Sequence, residues 1–314
     1  MSTTTPRQRM LGGLRAATRT VDVDGVSTAV IEAGDGPPLL LLHGGVECGG
    51  PMWAPVLTGL ARHHRVVAPD VPGLGQSAAV PRLDVGAFGR WLTGVAEHTG
   101  LERPTVVAHS LVGSLTTRYA AAGSPAIGRL IVYAAPGVGP YRMPLRLRYV
   151  AVRFAVRPTA RNAERFDRFA LLDLDATRQR DPDWYDAFET YTRSRARDPE
   201  VKRTMRRLVA RETRPIPAAE LDHIDIPTTL LWGRHDRMVP LPVGEAAASR
   251  HGWSLHVIDR AAHAPHIEQP EAFVDVLTAI MSAPEPERDP DHRGRGRVAR
   301  SRGDRPDAQD SSRP

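Results

Sequence analysis

Residues 106–114 read VVAHSLVGS, and the change of pattern inside this stretch governs the reading of the whole chain. Val106, Val107 and Ala108 suit a strand buried on both faces, and from Leu111 onward LVGSLTTRYAAAG carries helical spacing. Ser110 therefore stands where a strand passes into a helix. A serine hydroxyl is a weak nucleophile until a base takes its proton, and it must stand clear of the backbone to reach an electrophilic carbon. A sharp strand-to-helix turn provides that projection, and its crowding favours glycine two residues before and two after the serine. Here those places hold Ala108 and Val112, with Gly113 one further on. Alanine is small enough, whereas the β-branched Val112 is a departure. The alternative is a buried serine that merely opens a helix.

Working outward, the neighbouring segments repeat the same alternation. TRTVDVDGVSTAVIEAG gives two alternating runs joined by Asp24-Gly25, a dipeptide favoured in tight hairpins. PPLLLLHGG and HRVVAPDVPGLGQS are continuous apolar runs ending in Gly/Pro loops, with the helical WAPVLTGLARHH between them. After LDVGAFGRWLTGVAEHTG, a helix stopped by Gly100, come TVVAHS, RLIVYAAPG, TTLLWGRHD and LHVIDRAAH, and a closing helix from Glu271 to about Met281. Eight strand-length runs alternating with helices imply an α/β fold: a mostly parallel sheet with helices on both faces. Residues 138–222 break the rhythm, being helical in propensity without a convincing strand, and are expected to form a helical cap inserted into a core made of 18–137 and 223–282. Residues 1–17 are expected to be a disordered arm. The tail 283–314, almost devoid of apolar residues, is expected to be disordered too.

Parallel strands bring their carboxyl ends to one crevice, so partners for Ser110 are sought just past later strands. LLWGRHDRMVP places Asp236 there, and LHVIDRAAHAPHIEQP places His263. The order Ser110, Asp236, His263 is that of a nucleophile, an acid that orients the base, and a base. His266 is the competing base, although His263 lies nearer the strand end. His109 is expected on the wrong side of the elbow, and Asp259 and Glu268 are expected to be too local to orient the ring. A turn-capping role is the alternative for Asp236. The charge of a tetrahedral intermediate calls for two backbone N–H groups, those of Leu111 and of Gly45 in LLLLHGGVECGG. His43 is read as tying that loop down.

Composition narrows the remaining classes. The chain has 314 residues, 41% hydrophobic and 25% charged, with a formal net charge of +6 and a single lysine, Lys202, among 42 basic residues. Residues 142–214 carry 19 basic against 11 acidic side chains, a surplus of 8, so this segment more than accounts for the excess. No known nucleic-acid motif appears among these charges, and a solvated basic face is expected rather than a nucleic-acid surface. Lone Cys48 excludes an internal disulfide and a CxxC site. No signal-peptide run or apolar stretch of about 18 residues is present, so a cytoplasmic location is expected. MPLRLRYVAVRFAVRP puts Arg146, Arg153 and Arg157 near one helical side and apolar residues on the other. That helix is expected to close a pocket, and membrane contact is not expected.

Taken together, LLHGG at 41–45, VVAPDVPGLGQS at 66–77, AHSLVG at 108–113, WGRHDRMVP at 232–240 and AAHAPHIEQPEAF at 261–273 resemble the α/β-hydrolase superfamily, specifically its serine hydrolases with a helical cap. The resemblance runs from about Thr18 to Met281 and implies Ser110 as nucleophile, Asp236 as acid, His263 as base, Gly45 and Leu111 as oxyanion donors, a small-molecule substrate, and no metal or cofactor. Within the superfamily, the serine argues against haloalkane dehalogenases and epoxide hydrolases, which use aspartate. Proline iminopeptidases resemble HGGPG at the oxyanion loop, where this chain continues with Val46-Glu47. Carbon–carbon hydrolases of aromatic ring-cleavage products share the glycine-rich loop and APGVGP, but carry a cap arginine before a tryptophan where this chain has Asp183-Trp184, and a tryptophan after the histidine where it has Ala264. The resemblance thus implies a carboxylic ester hydrolase, with a carbon–carbon hydrolase of vinylogous diketo acids and a ligand-binding receptor as alternatives.

Overall fold

The computed structural model describes residues 4–123 and 126–283. The paired runs at the start form β1 (Ala17–Val23) and β2 (Val26–Ala33), antiparallel and joined by Asp24 and Gly25, both with positive φ, at 52° and 79°. The apolar runs that follow become β3 (Pro38–Leu42), β4 (Arg65–Pro69), β5 (Thr105–His109), β6 (Arg129–Tyr133), β7 (Thr228–Gly233) and β8 (Ser254–Ile258). They lie in the order β1-β2-β4-β3-β5-β6-β7-β8, with every pair from β4 to β8 parallel. Leu39, Leu40, Val106, Val107, Leu130 and Ile131 are buried without exception, as expected of strands covered on both faces.

The helices before the insertion are α1 (Pro6–Met10), α2 (Ala54–Leu60), α3 (Val85–Thr99) and α4 (Ser110–Ala121). Between β6 and β7 come α5 (Leu145–Val156), α6 (Ala160–Ala170), α7 (Leu174–Arg180), α8 (Pro182–Arg195), α9 (Pro199–Glu212) and the short α10 (Ala218–Leu221), with no strand. The remainder are α11 (Leu241–His251), α12 (Pro265–Glu268) and α13 (Pro270–Ser282). Residues of α2 and α13 join one buried cluster against the sheet, and those of α3, α4 and α11 join another. Trp184, Tyr185 and Phe188 of α8 enter the first cluster, so the inserted helices share a core with the sheet.

Two expectations change. The arm 1–17 is not without structure. Thr5 and Gln8 form a reciprocal capping box that starts α1, Met10 is buried in the core, and Arg7 is buried against Asp70, its Nη1 2.8 Å from the carboxylate. These contacts are tertiary, and nothing local in the sequence announces them. On α5 the arginines do not oppose the exposed apolar residues: Leu145, Tyr149, Val152 and Val156 face outward, while Leu147, Val150 and Phe154 occupy the buried side. The tail expected to be disordered lies, apart from Ala283, outside the described residues.

Candidate active site

Ser110 sits at the junction of β5 and α4 with φ 53°, a left-handed conformation that costs a residue with a side chain roughly 1 kcal/mol or more. The crowding at this elbow falls on Gly113, not on position 112. A Cβ at Gly113 would lie 2.8 Å from the carbonyl oxygen of Ala108, whereas Val112 is fully buried among the apolar residues beneath α4. Gly44 in the facing loop is equally constrained, since a Cβ there would meet the His109 ring at 2.6 Å.

The three residues singled out from separate strand ends converge. His263 Nε2 lies 2.9 Å from Ser110 Oγ, and its Nδ1 lies 2.8 Å from Asp236 Oδ2. Asp236 Oδ2 accepts from Nδ1–H, which leaves the Nε2 lone pair facing the serine hydroxyl. Asp236 Oδ1 accepts the N–H groups of Met238 and Val239 at 2.8 and 2.9 Å, and Trp232 Nε1 donates to the Val239 carbonyl at 2.8 Å. Asp236 is thus both turn cap and partner of the imidazole, one role for each oxygen. Ser110, Asp236 and His263 are all buried. Leu111 lies in the first turn of α4, where backbone N–H groups have no partner within the helix, and both Leu111 and Gly45 border the cavity beside Ser110.

The other histidines take supporting places. His43 Nε2 accepts the Val71 N–H at 2.8 Å and its Nδ1–H donates to the Gly44 carbonyl at 2.7 Å, which ties the loop down; burial lowers its pKa. His266 is 2.9 Å from the Tyr133 hydroxyl, and burial pushes its pKa down to about 3. It does not reach Ser110. His109 is not turned away from the site: it borders the cavity, stacks on Tyr133, and its Nε2–H donates to the His263 carbonyl at 3.0 Å. Burial and the neighbouring His263 and His266 hold it well below the usual imidazole range, so it stays neutral.

Glu268, expected from the sequence to be too local to orient the ring, does not touch the imidazole. Yet its Oε1 accepts the N–H groups of Ala262 and Ala264, on either side of His263, at 2.9 and 3.2 Å, while Oε2 accepts the Leu172 N–H at 2.6 Å. Burial raises its pKa against the pull of these three donors. Two further links join the same loop to the inserted helices: the His263 N–H donates to the Ala170 carbonyl, and Arg180 donates to the carbonyls of Ile267 and Glu268. No signal in the sequence pairs these groups, since Leu172 and Glu268 are 96 residues apart.

Above the serine opens a cavity of about 840 Å³, mostly apolar, roofed by α5, α6, α8 and α9. Its charged lining is divided. Glu47 and Asp167 lie on one side, both pushed up to about 7, chiefly by burial, and the Tyr185 hydroxyl donates to Asp167 at 2.6 Å. Arg148, Lys202, Arg203 and Arg206 come from α5 and α9. Among the described residues no group of three or more His, Cys, Asp or Glu side chains is arranged to hold a metal ion.

Residues 39–276 match the family model described as the alpha/beta hydrolase family. An uncharacterised protein of Mycobacterium tuberculosis is 28% identical over 284 residues, covering 84% of this chain and 81% of that one. The 2-hydroxy-6-oxo-2,4-heptadienoate hydrolase of Pseudomonas putida is 26% identical over 284 residues, covering 84% and 96%. Among solved structures, naproxen esterase from Bacillus subtilis superposes with a TM-score of 0.71 at 18% identity, over 88% of this chain and 95% of that one. With the family model spanning the parallel strands from β3 to β8, the elbow and the loops that carry Asp236 and His263, the chain belongs to the alpha/beta hydrolase family.

Proposed function

We propose that the protein is a serine hydrolase that cleaves carboxylic esters of small apolar molecules through an acyl-enzyme on Ser110. The observation that carries this reading is the unbroken line from Asp236 Oδ2 through the His263 ring to Ser110 Oγ, at 2.8 and 2.9 Å. His263 Nε2 takes the hydroxyl proton as Oγ attacks the ester carbonyl, and the oxyanion that forms is met by the N–H groups of Gly45 and Leu111. As the tetrahedral intermediate collapses, His263 returns that proton to the leaving alkoxide, which departs as the alcohol. Water then gives a proton to His263 and adds to the acyl carbonyl; collapse releases the acid and restores the serine hydroxyl. The apolar lining supports an apolar substrate.

A second reading, hydrolysis of a carbon–carbon bond in a vinylogous diketo acid, is favoured by the Pseudomonas putida relative and by the cationic side chains of the cavity. Glu47, two residues from Gly45, and Asp167 argue against it, because a carboxylate substrate would meet their charge above pH 7 or so. The test is a panel of p-nitrophenyl esters run beside such a diketo acid, on the parent and on Ser110→Ala. Ester turnover that exceeds diketo-acid turnover and falls about a million-fold in the variant is expected. Parent-level ester turnover by Ser110→Ala would overturn the acyl-enzyme. Failure of the parent to label at Ser110 with a fluorophosphonate would point instead to a ligand-binding role for the fold.

A further inference from the structure

Helix α5 turns apolar residues outward. Leu145 is 82% exposed, Tyr149 57%, Val152 55% and Val156 68%, and of the five exposed large hydrophobic side chains among the described residues only Leu172 lies elsewhere. Their spacing of four, three and four residues gathers them in an arc of roughly 60° on the helix surface, given the turn of about 100° per residue. The opposite face is already occupied by Leu147, Val150 and Phe154, which pack inward, so the outward stripe contributes nothing to that packing. Its shoulders are cationic. Helical geometry puts Arg146 and Arg153 on one side and Arg148 on the other, and residues 142–161 hold six arginines and no carboxylate. The Arg153 guanidinium lies over the Tyr149 ring, 5.5 Å from its centroid. The stripe also borders the cavity that contains the serine: Arg148, Val152 and Val156 line it, together with Lys202, Arg203 and Arg206 of α9.

We propose that this surface docks on an anionic lipid bilayer, with α5 lying in the plane of the membrane, its apolar stripe in the acyl boundary and its arginines among the phosphates. A narrow apolar stripe flanked by cations, on a helix about 18 Å long, is the pattern of an interfacial helix rather than of a spanning one. Indeed, no helix of the described residues is long and apolar enough to cross a membrane. Charge complementarity selects the occupant. A second copy of the chain meeting this face across a two-fold axis would set arginine against arginine, which is unfavourable. A bilayer with anionic headgroups presents the opposite charge to them. Docked this way, the cavity-lining Arg148, Val152 and Val156 lie at the lipid surface, where apolar esters partition.

The full chain is to be sedimented with phosphatidylcholine vesicles and with vesicles containing phosphatidylglycerol, at low and high salt. Binding to the anionic vesicles is expected, with little to the neutral ones and release as salt screens the arginines. Leu145→Asp/Tyr149→Asp and Arg146→Gln/Arg153→Gln are each expected to weaken it about tenfold or more with unchanged thermal midpoints. None of these four residues lines the cavity. Because the readout is vesicle binding, it is independent of the ester reading. Absence of binding to anionic vesicles, equal binding to both compositions, or undiminished binding by both variants would overturn the proposal. So would a dimer that Leu145→Asp/Tyr149→Asp dissociates without any vesicle binding by the parent.

Discussion

At the scale of single residues, the site depends on groups that hold other groups. Glu268 fixes the backbone on both sides of His263 and ties it to Leu172. Glu268→Gln keeps the volume but turns an amide N–H₂ toward backbone N–H donors. Turnover of an accepted ester is expected to fall about 10- to 100-fold, since small misplacement of a base is costly. KM should change little, and steady-state kinetics on the purified variant separate the two parameters. The elbow makes a second prediction. Because the close approach falls on Gly113, Gly113→Ala should destabilise the fold by about 1–3 kcal/mol in urea unfolding, the usual cost of overpacking. Val112→Gly should not relieve any strain, as it would open a hole where Val112 is fully buried. Which residue bears the crowding was not legible from GxSxG spacing alone, because the spacing says where glycine is usual, not which contact forces it.

At the scale of elements, α1 shows how a segment with little to recommend it becomes structured. Five residues cannot hold a helix in water, and a capping box adds only modestly. What fixes α1 is Arg7, whose guanidinium reaches Asp70, while Asp70 also accepts the N–H groups of Gly50 and Gln76, both at 2.7 Å. That carboxylate therefore joins the N-terminal helix, the end of the Gly45 loop and the loop after β4. Arg7→Leu leaves Asp70 buried without its cation, and a loss of about 3–5 kcal/mol in stability is expected, measured by denaturant unfolding. Helix α5 is likewise oriented by its tertiary neighbours. Apolar and cationic residues were both visible in its sequence, but which of them faced the protein was decided by α6, which packs against its inner face. Periodicity alone admits either side as the buried one.

At the scale of the whole molecule, the inserted helices and the sheet enclose a cavity that changes the chemistry of what lines it. Glu47 and Asp167 both rise to about 7 from 4.5 and 3.8, because burial disfavours the charged form. A carboxyl whose folded pKa exceeds its unfolded value binds more protons when folded, so stability declines as pH rises between the two values. Unfolding measured from pH 4 to 8 should show this decline between about 4 and 7, and Glu47→Gln/Asp167→Asn should flatten it and be the more stable protein at pH 8. The parallel sheet, the strand–serine–helix junction and the positions of Asp236 and His263 were legible in the sequence, because each depends on a short run of buried strand followed by a loop at a known edge. The clasp from Glu268 to Leu172, the tether from His109 to His263, the pairing of Arg7 with Asp70 and the outward stripe of α5 were decided only by the tertiary structure. Hydrophobic periodicity records whether a segment is buried, but the partner of a buried polar group, and the side of a helix left uncovered, depend on segments far away in the chain that come together only when it folds.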